Sequence, residues 1–102
     1  MARVIISDLA DVDSEDIITY LNDEAGRTTA AKYSHLFDDA YERLADYPES
    51  GSPKPQLGRE ARQCIIDPYV MIYDYAPVDD TVVILRILHG SRRITPRLLR
   101  SR

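Results

Sequence analysis

The chain has 102 residues, 44% hydrophobic and 29% charged, which is enough for one packed domain and too little for two. Its single cysteine, Cys64, excludes an internal disulfide and with it a disulfide-framework secreted fold, and no apolar run approaches the ~20 residues of a membrane span. The formal net charge of -4 argues against an anionic partner, but only as an average.

The charges are segregated along the chain. Residues 1–80 carry all seventeen acids and seven bases, a local balance of -10, whereas residues 81–102 hold six arginines and no acid. A basic end on an acidic body points to an anionic partner for that end. Met1 to Ile6 runs into Ser7 and Asp8 and not into the apolar stretch of a signal peptide, so a cytoplasmic location is expected.

Ala2 to Ser7 reads as a short strand, because Val4, Ile5 and Ile6 form a compact β-branched run between polar residues. From Asp8 to Glu24, Leu9, Ala10, Ile17, Tyr20 and Leu21 recur near helical spacing behind an acid-rich start. The pattern is compatible with one helix or with a turn and a helix capped at Asp13 or Ser14. Gly26 supplies the stop. A second helix capped at Thr28 or Thr29 runs to about Tyr47, with Ala30, Tyr33, Phe37, Ala40, Tyr41 and Leu44 as its inward stripe, and Pro48 closes it. The connection is short enough to make the two helices an antiparallel hairpin.

Pro48 to Gly58 is a Pro-, Ser- and Gly-rich loop, after which the period becomes extended. Arg62 to Ile66, Tyr69 to Tyr75 and Thr81 to His89 read as three strands joined by turns at Asp67-Pro68 and Pro77 to Asp80, an antiparallel meander. Val82 to Leu88 is apolar almost throughout and is expected at the centre of the sheet. The order β-α-α-β-β-β predicts a single α+β domain over residues 1–102: a helical hairpin packed on a twisted, mainly antiparallel, four-stranded sheet. A short basic tail over about 94–102 follows, interrupted by Pro96, with a helical turn at Arg97 to Arg100.

Few residues invite chemistry. His35, His89 and Cys64 are spaced unlike zinc ligands, there is no glycine-rich phosphate loop, and neither metal nor cofactor is expected. The carboxylates of the first helix read as a solvated face, and Cys64 as a small core residue. Arg86 is the unusual position, since a guanidinium in an apolar strand needs a carboxylate or carbonyl partner; a structural ion pair and a contact to a target both satisfy that demand. Arg92 and Arg93, just past Gly90, stand on a turn at the sheet edge, where charge serves recognition better than packing.

The run Val82 to Arg93, with its His89-Gly90-Ser91-Arg92 ending, resembles the RelE/ParE toxin superfamily and in particular its ParE branch. Tyr69-Val-Met-Ile-Tyr73, Leu44-Ala-Asp-Tyr-Pro48-Glu-Ser-Gly51 and the first-helix pattern Ala10, Asp13, Ile17, Tyr20, Leu21 extend the resemblance over nearly the whole chain. It implies a toxin of a bacterial toxin-antitoxin pair, neutralised by a ParD-like antitoxin and acting on DNA gyrase or its DNA complex without catalysis. On this reading Arg86, His89, Arg92 and Arg93 engage the target, and Arg62 and Tyr73 are accessory. Ile17, Tyr20, Leu21, Tyr33 and Phe37 line the antitoxin groove. The alternative within the superfamily is a RelE-like ribosome-dependent mRNA endonuclease. Such chemistry needs cations for the phosphorane and a proton acceptor and donor. Here Val70 stands where those nucleases carry an arginine, and no lysine follows Lys54, which favours the non-catalytic reading.

Overall fold

The computed structural model describes residues 1–100. Along the chain come strand β1 (Arg3–Ile6), helices α1 (Asp8–Ala25) and α2 (Arg27–Asp46), strands β2 (Ser52–Pro53), β3 (Ala61–Ile66), β4 (Tyr69–Ala76) and β5 (Thr81–His89), and a 3-10 turn over Pro96–Leu99. The strands form one sheet in the order β1-β5-β4-β3-β2, with β1 parallel to β5 and every other neighbour antiparallel.

The α+β architecture expected from the sequence is present, with local differences. The sheet has five strands where four were expected, because Ser52 and Pro53 of the loop pair with Gln63 and Arg62. No hydrophobic alternation marks so short a strand. β5 is interior, but the middle position belongs to β4. α1 is a single helix starting at Asp8: Ser7 accepts the Ala10 N–H as its N-cap, so neither Asp13 nor Ser14 is a cap. Thr28 and Thr29 also lie inside a helix. α2 begins at Arg27, because Gly26, at φ 93°, ends α1 and starts α2 as a one-residue joint.

The helical hairpin covers one face of the sheet. Ala10, Leu21, Ala30, Phe37, Ala40 and Leu44 meet Tyr69, Met71, Tyr73, Val82, Ile84 and Ile87 there, and Phe37 retains only 1% of its surface, worth roughly 1.5–3 kcal/mol in apolar burial. Alternate residues of β4, Val70 and Ile72, face the other way and form a smaller cluster with Leu99, flanked by Leu57, Leu85 and Ile94. The C-terminal segment therefore covers the sheet face opposite the helices.

The loop after α2 is fixed from beneath by β3 and β4. Tyr73, fully buried, donates from its hydroxyl to the Pro48 carbonyl at 2.8 Å and accepts the Gly51 N–H at 2.9 Å. Arg62 donates to the carbonyls of Glu49 and Gly51. A Cβ at Gly51 would stand 2.5 Å from the Tyr73 hydroxyl oxygen and 2.8 Å from the backbone oxygen of Gln63. Gly51→Ala is thus expected to lower unfolding free energy in urea by about 1–3 kcal/mol, as overpacking does. Adding Tyr73→Phe should not restore it, because the Gln63 carbonyl is part of the strand.

Candidate functional site

The site is built where β5 outruns β1. β1 pairs with β5 only from Thr81 to Ile84, so the strand edge from Leu85 onward is left for other groups. Ser7 takes the first positions, its N–H donating to the Ile84 carbonyl and its hydroxyl to Leu85 O, both at 3.0 Å. Asp13 takes the next: its Oδ2 accepts the Ile87 N–H at 3.0 Å. The register also slips here, with Tyr73 opposite Ile84 and Ile72 opposite Arg86, which makes Leu85 an extra residue. Without that bulge, Arg86 would fall on the helix-facing side and Ile87 would leave the core.

Arg86 is 2% exposed and fully engaged. Its Nε and one terminal nitrogen donate to the two oxygens of Asp13 at 2.7 and 2.8 Å, and the other terminal nitrogen donates to Leu98 O at 2.6 Å. The hydrogen bond to Asp13, reinforced by that carboxylate's charge, holds the guanidinium pKa above its usual value against the opposing effect of burial.

Beyond this pair the strand end opens into a groove of about 410 Å³, lined by Asp13, Asp16 and Ile17 of α1, by Tyr69, and by Arg86 to His89 and Arg92. His89 stands edge-on to Tyr69 at 5.8 Å between ring centroids. Its Nδ1 accepts the Ser91 N–H at 3.1 Å and lies 2.8 Å from the Ser91 hydroxyl, so Nε2 is the ring nitrogen outside these two contacts. Burial, and then the neighbouring Tyr33 and Tyr20, raise the Tyr69 phenol above 10.0, so it stays a neutral wall of the groove. The turn itself is pinned: Gly90 N–H donates to Pro68 O at 2.7 Å and Arg92 N–H to His89 O at 3.0 Å. Arg92 and Arg93 are exposed on it, with no ion-pair partner among the described residues.

The expected target-contact set thus divides. His89, Arg92 and Arg93 share an accessible strand end, whereas Arg86 lies beneath them as a structural support. Arg62 and Tyr73 stand apart, four residues further along the sheet, in the clamp under the loop after α2. Of the expected antitoxin groove, Leu21 and Phe37 are core residues at 9% and 1% exposure, while Ile17 and Tyr33 are half-buried and Tyr20 is exposed. Tyr33 donates its hydroxyl to Asp67 O at 3.0 Å. Ile17 belongs to the same groove as His89 and Arg92, so the two surfaces adjoin. Asp13 went unrecognised as a site residue; its place on the Ala10–Ile17–Leu21 stripe, an acid among inward positions, is the signal for it. Cys64 is buried, with its Sγ 3.2 Å from a terminal nitrogen of Arg43. Among the described residues no group of three or more His, Cys, Asp or Glu side chains could hold a metal ion, and no helix is long and apolar enough to cross a membrane.

Residues 4–94 match the family model of the ParE toxin of type II toxin-antitoxin systems. The chain belongs to the ParE toxin family. Across 86 residues it is 33% identical to Toxin ParE1 of Caulobacter vibrioides, a match covering 84% of this chain and 86% of that one. Its fold is similar to a chain of the chromosomal ParDE TA system from P. aeruginosa, with a TM-score of 0.72 at 18% identity, covering 87% of this chain and 96% of the other. It is also similar to a chain of the RelBE2 toxin-antitoxin complex of Mycobacterium tuberculosis, with a TM-score of 0.60 at 21% identity over 86% and 90%. For the isolated E. coli RelE toxin the TM-score is 0.57 at 9% identity, over 91% and 88%. In this ParE-family chain the groove lies at the end of the last strand, and the arginine turn follows it.

In this ParE-family toxin, Arg86→Met should lower unfolding free energy by about 3–5 kcal/mol in equilibrium denaturation, because it strands the buried Asp13 carboxylate. Arg92→Ala should change it by no more than about 0.5 kcal/mol, as an exposed turn residue.

Proposed function

We propose that this toxin inhibits growth by poisoning DNA gyrase, that the strand-end surface of His89, Arg92 and Arg93 makes the contact, and that a ParD-like antitoxin neutralises it. The observation that carries the reading is that turn. Two exposed arginines project from a backbone held by Gly90 to Pro68 and Arg92 to His89 hydrogen bonds, beside an imidazole with one nitrogen available. Rigidly presented guanidiniums suit recognition of carboxylate or phosphate. Family membership supports the target class, and the groove between α1 and the strand end offers a seat for an antitoxin segment beside Ile17.

The nuclease alternative lacks its cations at this place. Val70 is buried in the second-face cluster with Ile72 and Leu99, and the Arg62 guanidinium is engaged by the carbonyls of Glu49 and Gly51. Neither lines the groove, where Arg92 is the one accessible guanidinium among the described residues.

Purified toxin added to gyrase and supercoiled plasmid is expected to accumulate cleaved DNA, and Arg92→Ala with Arg93→Ala to reduce that product at least about tenfold while thermal unfolding is retained, as surface-site substitutions allow. Supercoiling that proceeds without cleaved product at saturating toxin would refute the gyrase reading. New transcript 5' ends appearing in cells that express the chain would instead establish the nuclease.

A further inference from the structure

The arginines extend past the turn. From Ile94 the chain crosses the sheet face that the helices leave uncovered. Ile94 and Leu99 turn inward against Val70 and Ile72, and the 3-10 turn is capped by Thr95, whose hydroxyl accepts the Leu98 N–H. Inward apolar residues leave Arg97 and Arg100 on the outside, in the same short segment as the exposed Arg92 and Arg93. Arg59, from the loop before β3, lines with Arg100 a hollow of about 250 Å³ beside them.

We infer that this exposed, arginine-bearing C-terminal segment of the toxin binds the sugar-phosphate backbone of duplex DNA directly. The inference rests on the gyrase reading in supposing a target that holds DNA, and deepens it by giving the toxin its own hold on the nucleic acid.

Three observations support duplex DNA over other anions. The acids of α2, and those of α1 other than Asp13 and Asp16, belong to the helical layer on the other side of the sheet from the cluster that seats Ile94 and Leu99. Glu60 and Asp74 in the hollow and Asp13 and Asp16 beside Arg92 are the acids that remain close, and Asp13 is already paired with Arg86. Next, the exposed side chains of residues 91–100 are Ser91, the arginines and Pro96, with no exposed large apolar residue among them to anchor a protein partner. Protein interfaces depend on buried aromatic and aliphatic anchors, whereas DNA interfaces are polar and positive. Finally, the segment has no aromatic residue on which to stack an unpaired base, the usual means of holding single strands.

The test is fluorescence anisotropy of the full chain, without gyrase, on a labelled mixed-sequence DNA duplex. Four phosphate contacts predict affinity that falls roughly 100-fold between about 50 and 200 mM salt. Replacing Arg92, Arg93, Arg97 and Arg100 together by Gln should weaken binding at least about tenfold and flatten the salt dependence, each arginine contributing about one unit of slope. The corresponding Lys quartet should keep the slope, and Arg27→Gln with Lys32→Gln on α2 should leave binding as it was. Absence of duplex binding at low salt, tighter binding to single-stranded RNA, or a Gln quartet with an unchanged slope would each overturn the inference. A toxin that binds duplex yet yields no gyrase-cleaved plasmid retains this inference and loses the gyrase reading; the converse outcome does the reverse.

Discussion

The carboxylate of Asp13 is the point on which the rest of the site depends. It accepts from two guanidinium nitrogens of Arg86 and from the Ile87 amide, and the same guanidinium reaches the Leu98 carbonyl. One residue of α1 is thereby tied to the last strand, and the last strand to the C-terminal segment, through groups that are almost wholly removed from water. The attraction within such a pair is offset by the cost of desolvating both ions, so its worth relative to an apolar pair is small. Its geometric demand is large. An apolar contact tolerates sliding, while a bidentate pair holds α1 at one height along β5, and with it the width of the groove.

The bulge at Leu85 is what makes this arrangement compatible with a packed core. Strand alternation places Val82 and Ile84 against the helices, and strict continuation would send Arg86 after them. The extra residue returns Ile87 to the core and moves Arg86 to the open edge, where Asp13 meets it. The packed core and the exposed arginine turn therefore share one irregularity. The strand end can present His89, Arg92 and Arg93 because the residues just before it are fixed on both sides, by β4 and by the start of α1.

Local pattern made most of the architecture legible. The three-and-four spacing from Ala30 to Leu44 gave away α2, Gly26 marked the joint, and the Asp67-Pro68 and Pro77 to Asp80 turns delimited the meander. What escaped depends on contacts distant in sequence. Ser52 and Pro53 become a strand only because β3 offers them an edge, and Asp13 resembles its solvated neighbours until an arginine 73 residues later is placed beside it. Leu21 and Phe37 were expected to line a groove, yet the hairpin closes so tightly at Gly26 that both are interior. For the site, the arginine turn was visible as charge, and its separation from Arg86, Arg62 and Tyr73 was not, because exposure is a property of the assembled sheet.

The parallel pairing of the first strand with the last also orders the life of the chain in time. β1 emerges first from the ribosome, but its partner residues, Thr81 to Ile84, are made 78 residues later, and the Asp13–Arg86 pair and the Leu98 carbonyl that completes it come later still. The helical hairpin is local and has all its own residues early, whereas the sheet edge that carries the groove closes only after the residues from Thr81 to Leu98 have been made. A chain built this way cannot form its strand end until β5 and the segment through Leu98 have been synthesised.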